Sequence, residues 1–466
     1  MLQVLIILAL VLARLPDVVG ADVTWTPVLR EYAWIPIPVT LLLLAAFHLV
    51  ATRVYRQFGR RDTAARIDFM YRALDFARFT SLLVLAFGVF VCGWDAWLRA
   101  ALGPVILVDE LLIASPVLLT IVATWWSTAP VERAMLEVSL IRKLDDGAAI
   151  APLPTRMQAV WQHVRFTMLL TLVPIGLMIG WHDLMQLLPA WLGESASWLT
   201  HNESWLSWIG IASILLTTPV VMRAVWDTVP LASSEQRDRI VAICKLHRVR
   251  VIGPLVWRTH GSMVNGAILG MFWPCRYLLL TDALLERMQP AHLDAIVAHE
   301  VAHVRNRHMV WLGVVVAAAA VCSGLAFDLL LRVLPSEYSL PWLPVIATSA
   351  AFGLALAGFI FASQRFEWQA DAFSVSHLAR QAGCKVVDAS SASTVAATLG
   401  EVAYANGMSI DKLSIRHGSI ATRQRKVSQL VGVSIDAFPI DRQVRVIKLI
   451  SIIFLAIGIA AMFAPW

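Results

Sequence analysis

The stretch Ala291–His308 combines residue types and spacing that could hydrolyse a peptide bond. It reads AHLDAIVAHEVAHVRNRH, and its apolar residues recur at helical spacing after the start signal Gln289-Pro290. His299 and His303 are four residues apart, so both imidazoles project from one face of the helix and can share a Zn²⁺ ion. Glu300 lies beside that face, where it can take a proton from a water on the metal. The stretch therefore predicts a zinc site with a general base.

The third ligand decides the class of zinc site. A metzincin needs Gly and His further along the same segment, but those places hold Asn306 and Met309. His308 lies five residues from His303, a helical offset that turns it off the zinc face. In the segment SQRFEWQAD, Glu367 and Asp371 are four residues apart and share a helical face, so one carboxylate can bind metal and the other can hold a ligand histidine. A membrane-edge helix with two solvated acids is the alternative for that segment.

The composition indicates a membrane protein. The chain is 58% hydrophobic and 15% charged, against about 25% charged residues in soluble domains. Long apolar runs must be helices in lipid, because no water is present to pair with the backbone. Residues 1–20 are either a cleaved signal peptide or a first helix. We therefore predict an all-α multi-pass protein of eight or nine transmembrane helices, with spans near 34–52, 79–98, 108–126, 167–190, 205–222, 309–334, 341–362 and 446–464.

Basic residues orient these spans. The connecting segments that alternate to one side are rich in Lys and Arg, whereas the opposite loop 191–204 has neither. The positive-inside rule makes the basic side cytoplasmic. Topology thus explains the net charge of +6, and nucleic-acid binding is not needed. The basic segments are 53–78, 133–156, 223–307 and 363–445.

The predicted spans also bring the candidate ligands together. The histidine helix leads into the span that starts near Met309, and Glu367 follows the span that ends near Ala362. An antiparallel hairpin of these spans returns the chain to the same side, so Glu367 emerges beside His303. The predicted regions are an N-terminal transmembrane region at 1–222, a cytoplasmic catalytic domain split into 223–308 and 363–445, the transmembrane hairpin at 309–362, and a C-terminal helix at 446–466.

Four segments within roughly residues 230–430 resemble the integral-membrane gluzincins, which include the CAAX prenyl endopeptidases and the heat-shock membrane protease HtpX. The sequence departs from the family pattern at Gly266, Gln364 and Gly418, where Ala, Arg and Pro are usual. The matching segments are Asn265–Gly270, His299–His303 with its Asn306-Arg307-His308 tail, Ser363–Asp371, and His417–Arg423, which is similar to His-Pro-x-x-x-x-Arg.

The resemblance implies an α+β zincin-like catalytic domain and a role for each matching residue. Glu367 would be the third ligand of one Zn²⁺ per chain, and Asp371 would support a ligand histidine. His417 and Arg423 would approach the substrate carbonyl and stabilise its developing oxyanion. An extended peptide would add as a strand to an edge that contains Asn265, Gly266 and Ala267.

The predicted function is that of a zinc-dependent endopeptidase in the lipid bilayer, with Glu300 as general base. Its substrates would be membrane proteins or membrane-associated proteins, in quality control or maturation, at a bacterial inner membrane. An inactive zinc-binding scaffold is an alternative, although a scaffold needs no base at Glu300. A regulated sensor protease would need a folded outside domain, for which the loops are too short. A transporter usually places polar residues at mid-membrane, where these spans are mostly apolar.

Overall fold

The computed structural model describes residues 2–19, 27–60, 62–103, 105–145, 153–193, 197–261, 263–333, 343–414 and 416–462. These residues are mostly helical and include one small sheet. The chain divides into two compact units, Met1–Thr218 and Pro219–Trp466.

The first unit consists of helices around an apolar core. Ile6, Leu85, Ile113 and Ile121 are completely buried in that core. Short π-helical segments at Gly88–Cys92 and Val164–Met168 follow two of the helices. The helices are α1 (Leu2–Val19), α2 (Pro36–Arg56), α3 (Thr63–Phe87), α4 (Trp94–Leu102), α5 (Val108–Ile113), α6 (Ser115–Asp145), α7 (Arg156–His163) and α8 (Leu169–Leu192).

The second unit combines helices with a four-stranded sheet. Helix α9 (Ser197–Val225) begins in the first unit and ends in the second. The elements that follow are β1 (Thr228–Pro230), α10 (Glu235–Leu246), β2 (Pro254–Trp257), β3 (Gly266–Leu269), β4 (Tyr277–Thr281), α11 (Asp282–Arg287), α12 (Pro290–Arg305), α13 (His308–Val333), α14 (Leu343–Gln381), α15 (Ala389–Ala405), α16 (Ile420–Ser428) and α17 (Pro439–Met462).

Seven helices in the described part of the chain are long and apolar enough to cross a membrane, so the chain is a multi-pass integral membrane protein. The predicted span 108–126 is not among them: it folds as α5 and the start of α6. Residues 2–16 form a shorter apolar helix. The seven candidates are Pro36–Arg56, Thr63–Cys92, Arg156–Pro189, His201–Val225, His308–Phe327, Ser349–Gln381 and Pro439–Ala461.

The sheet has the strand order β1-β2-β4-β3, with β2 and β4 parallel and the other pairs antiparallel. All five residues of β4 are buried, and Leu278 and Leu280 pack in a core that α12 covers with Val297 and Val301. Because β3 comes last in the strand order, it lies at an edge of the sheet. Gly270, at φ +98°, ends β3, and a Cβ there would lie 1.9 Å from the carbonyl oxygen of Cys275, so only glycine fits this turn.

A break separates the histidine helix from the span that follows it. Helix α12 ends at Arg305, Arg307 takes a positive φ of 56°, and α13 begins at His308. In contrast, α14 runs without interruption through its candidate span and past Glu367 and Asp371. The loop that would join the predicted hairpin, 335–341, lies outside the described residues.

Candidate active site

Helix α12 holds two histidines against one another. His299 and His303 are one helical turn apart, and their Nε2 atoms are 3.2 Å from each other. The helix is fixed from two sides: Asp294, almost fully buried, pairs with Arg239 of α10 at 2.6 Å, and Ser374 of α14 donates a 2.7 Å hydrogen bond to the carbonyl oxygen of Ala295. The two imidazoles therefore keep a defined direction.

Glu367 of α14 completes a triangle of ligand atoms. Its Oε2 lies 3.5 Å from Nε2 of His299, and its Oε1 lies 3.7 Å from Nε2 of His303. The carboxylate is only 2% exposed, so it is removed from water and needs a cationic partner. The structure thus brings together the three side chains that the sequence analysis selected as ligands.

The size of this triangle fits zinc. Nitrogen and oxygen ligands bind Zn²⁺ at about 2.0–2.2 Å, so two ligands of a tetrahedral ion lie about 3.3–3.6 Å apart. The observed separations are 3.2 Å between the two Nε2 atoms, 3.5 Å from His299 to Oε2 of Glu367 and 3.7 Å from His303 to its Oε1. Two histidines with one carboxylate are also a donor set typical of catalytic zinc, because three protein ligands leave a fourth position open. We conclude that these residues fit a zinc ion.

Asp371 supports the first of the two histidines. Its Oδ1 lies 3.0 Å from Nδ1 of His299, one helical turn after Glu367 on α14. A carboxylate at Nδ1 holds the proton there, which leaves Nε2 as the atom that can bind a metal. The contact between Asp371 and His299 has the geometry expected of a carboxylate that supports a metal-binding histidine.

Arg423 of α16 is buried and joins both carboxylates. Its guanidinium forms a fork on Asp371, with Nε at 2.8 Å and Nη2 at 2.6 Å, and its Nη1 lies 3.3 Å from Oε2 of Glu367. Although burial lowers the pKa of Arg423, the charge of Asp371 outweighs it and raises the pKa, so the arginine stays charged. The sequence analysis expects Arg423 to approach the substrate carbonyl, whereas in the structure its guanidinium is buried against Asp371 and Glu367.

His417 approaches the same carboxylate from a turn. Its Nδ1 lies 3.0 Å from Oε2 of Glu367, and its side chain is 44% exposed. Paired backbone hydrogen bonds between Ser414 and Gly418 close the turn. Gly418 has φ +71°, which proline cannot adopt, and a Cβ there would lie 3.9 Å from Cδ of Gln364. Two departures from the family pattern, Gly418 and Gln364, are therefore neighbours in space.

The side chain of Glu300, on α12, lies against the edge strand β3. A Cβ on Gly266 would be 3.7 Å from Cγ of Glu300, and the backbone of Ile268 donates a hydrogen bond to its carboxylate. Burial raises the pKa of Glu300 to about 7; the charge of His299 opposes this shift and the charge of Glu367 adds to it. A carboxylate with this pKa is suited to exchange a proton near neutral pH.

The remaining predicted residues lie at the start of the edge strand: Asn265 directly precedes β3, and Gly266 and Ala267 are its first two residues. The Thr281 N–H donates to the carbonyl oxygen of Asn265 at 3.0 Å, and Ala267 pairs with Leu279. Because hydrogen-bonded pairs alternate along an antiparallel ladder, the backbone groups of Gly266 and Ile268 point away from β4. The free edge of β3 thus faces the side on which Glu300 lies.

The two histidines differ in their charge environment. Burial lowers the pKa of His299, but hydrogen bonds with Asp371 and Glu367 outweigh it and raise the pKa to about 10. A positive charge is therefore favoured between His299 and Glu367, which is where a bound cation would supply one. Burial lowers the pKa of His303 well below its ordinary value, so that ring is neutral, the form that binds metals.

The sequence analysis missed one contact of His303. Nδ1 of His308 lies 2.9 Å from Nδ1 of His303, on the side away from Glu367. The helical offset that turned His308 off this face assumes one continuous helix, but the chain breaks at Asn306 and Arg307. The only signal for such a break is the polar run before the apolar span.

A second group of possible ligands lies in the first unit, at Asp109, Glu110 and Asp183. Arg14 pairs with Glu110 at 2.8 Å, and Arg99 pairs with Asp109 at 3.2 Å. Arginines already balance these acids, so the group has the character of a buried ion-pair network.

In a comparison with known protein families, residues 257–428 match the model of the family described as Peptidase family M48. The match spans His299, Glu300, His303, Glu367 and His417, and it confirms both the resemblance and the prediction of a metalloprotease. No curated protein matches the chain. Among solved structures, Ste24p of S. mikatae is 14% identical, with 85% of this chain and 99% of that chain covered at a TM-score of 0.44.

Proposed function

We propose that this membrane metalloprotease, with its peptidase family M48 domain, is a zinc endopeptidase that cleaves membrane proteins or membrane-associated proteins. The observation that carries the proposal is the triangle of His299, His303 and Glu367, with Glu300 on the same helical turn. Held by these three side chains, zinc would polarise both an attacking water and the carbonyl of the substrate.

Glu300 acts as the general base and then as the acid. Its carboxylate takes a proton from the attacking water and gives it to the amine of the leaving peptide. A pKa of about 7 suits both steps, because the group can accept and release the proton near neutral pH. Contact with the edge strand through Ile268 keeps the carboxylate beside the bound peptide.

His417 and Arg423 have separate tasks in this proposal. His417 is exposed and lies beside Glu367, so its free Nε2 can donate a hydrogen bond to the developing oxyanion of the substrate. Arg423 is buried on Asp371 and Glu367, so it holds the ligands in position and does not contact substrate.

Substrate binds as an added strand on β3. The outward backbone groups of Gly266 and the outward carbonyl of Ile268 offer hydrogen bonds to any extended chain, while the N–H of Ile268 holds Glu300. Main-chain binding of this kind discriminates weakly between side chains, which suits turnover or maturation of varied proteins.

The site lies at the membrane surface in this proposal. Candidate spans begin at His308, directly after the histidine helix, and include Glu367 itself. The basic segments around the site support a cytoplasmic orientation, and we propose a bacterial inner membrane as the location. A substrate anchored in the bilayer would thus have its extramembrane chain within reach of β3.

Metal removal tests this function. Purified chain in detergent should cleave an unfolded protein or a membrane protein, lose that cleavage when a chelator removes the metal, and regain it with stoichiometric Zn²⁺. Cleavage that persists in the metal-free protein would contradict the proposal.

Replacing His417 with alanine should lower kcat by about 10²–10³-fold, because one donor to the oxyanion is lost. Bound zinc and KM should change little, since His417 is outside the ligand triangle. The matched control is His292→Ala on α12, whose imidazole contacts Glu401 at 2.5 Å. Loss of zinc in His417→Ala would show a structural role instead.

A further inference from the structure

We propose that His308, Gln369 and Asp441 form a hydrogen-bonded relay that fixes the tautomer of His303 and directs its Nε2 lone pair towards the metal. This inference rests on the proposed zinc site and assigns three positioning residues to it. The residues come from the first turn of α13, from α14 and from the first turn of α17.

The relay is continuous from the metal ligand to the last helix. Nδ1 of His303 is 2.9 Å from Nδ1 of His308, whose Nε2 is 2.9 Å from Oε1 of Gln369. Nε2 of Gln369 donates to Oδ1 of Asp441 at 2.6 Å. Each distance is that of a formed hydrogen bond.

Asp441 determines which group donates and which accepts in each hydrogen bond of the relay. Its Oδ1 accepts from Gln369 and its Oδ2 accepts from the backbone N–H of Phe438 at 3.2 Å, so both oxygens act as acceptors. Gln369 must therefore present its NH₂ group to Asp441 and its carbonyl oxygen to His308.

The same order of donors and acceptors extends through His308 to His303. Because Gln369 offers an acceptor, Nε2 of His308 carries the proton and its Nδ1 is an acceptor. His303 must donate its own Nδ1–H to that acceptor, which leaves Nε2 of His303 unprotonated on the side of Glu367. That atom is the one that binds a metal in the proposed site.

The relay is held rigidly. His308 is 3% exposed, and its ring lies parallel to that of Phe366 with centroids 4.6 Å apart. A second contact ties the same helices together, since Nζ of Lys448 on α17 donates to the carbonyl oxygen of Asn306 at 3.2 Å. Helix α17 thus contacts the end of the histidine helix directly through Lys448 and reaches His303 indirectly through the relay from Asp441.

The two ligand histidines are supported in different ways. Asp371 is a charged partner of His299, and Arg423 balances its charge. His303 instead contacts the imidazole of His308, with the carboxylate of Asp441 two hydrogen bonds further away. The relay orients His303 without adding a negative charge next to the metal.

The test compares zinc affinity across variants of the full chain in detergent. His308→Phe keeps a ring on Phe366 and removes both nitrogens, and Gln369→Leu removes the central amide. Each should weaken zinc binding about 10–100-fold in chelator competition, as is usual when an outer partner of a ligand is lost. Each should also shift the visible spectrum of the cobalt-substituted protein, because His303 turns at the metal.

His308→Gln provides a rescue, because its amide can accept from His303 and donate to Gln369. It should recover most of the affinity that His308→Phe loses. The matched control is Gln236→Leu on α10, which removes a 3.1 Å hydrogen bond to the Leu285 carbonyl, involves none of the candidate ligands or relay residues, and should leave zinc affinity unchanged.

The outcomes separate the relay from the zinc site itself. If either His308→Phe or Gln369→Leu melts like wild type and keeps the zinc affinity and cobalt spectrum of wild type, the relay is overturned and the zinc site stands. If the wild-type chain binds no zinc, both inferences fall. Because the two residues lie on different helices, either variant that folds decides the question alone.

Discussion

Replacing Glu300 with glutamine is expected to abolish detectable peptide hydrolysis while zinc stays bound. Glutamine keeps the size of the side chain and removes the proton acceptor, and a positioned base contributes about 10²–10⁴-fold to a reaction of this kind. The residue is not one of the three ligand side chains, so the metal content should remain at one zinc per chain. The measurement is the cleavage rate of an unfolded protein and of a membrane protein, with zinc determined on the same samples.

Glu286→Gln is the matched control, because Glu286 is an exposed glutamate on α11. It should cleave at the wild-type rate. Equal cleavage by Glu300→Gln and wild type would remove Glu300 from the mechanism. If wild type and variant both hold zinc and neither cleaves any substrate, the scaffold interpretation gains instead.

Replacing Glu367 with glutamine is expected to remove both zinc and activity. The substitution takes the one negative charge out of the ligand triangle and also weakens the contacts of Arg423 and His417 with that carboxylate. We expect zinc affinity to fall by more than the about 10–100-fold that follows loss of an outer partner, because a direct ligand is weakened. Chelator competition and metal analysis after dialysis measure the change.

Glu401→Gln is the corresponding control, since Glu401 contacts His292 and lies outside the ligand triangle. The variant should keep its zinc and its activity. A Glu367→Gln chain that binds zinc as wild type does would show that the third ligand lies elsewhere. Together with Glu300→Gln, this pair distinguishes loss of the base from loss of the metal.

Much of the site follows from the sequence because helical spacing is local. Residues four apart on a helix share a face whatever the rest of the chain does, so His299 and His303 were predictable as a pair, and so were Glu367 and Asp371. Membrane spans are similarly local, since a run of apolar residues is enough to define them. The predicted span 108–126 is divided between α5 and α6, a break that apolar composition alone does not reveal.

The different surroundings of Arg423 and His417 required the tertiary structure. Both follow from a motif in the sequence, but the motif does not state which of them is buried. The fork of Arg423 on Asp371 joins residues 52 positions apart, and only the packing of α16 on α14 brings them together. Arg423 is buried, whereas the side chain of His417 is exposed.

The amino-acid sequence by itself determined that this protein spans a membrane, that it holds a histidine pair of the zinc-binding type with a candidate base, and which carboxylates could join them. Those properties depend on composition and on the 3.6-residue period of a helix. Only the tertiary structure decided how far apart the three ligand atoms lie, that α12 breaks before His308, and that His308, Gln369 and Asp441 connect. These contacts join residues 61 and 72 positions apart, and their geometry depends on how whole helices pack.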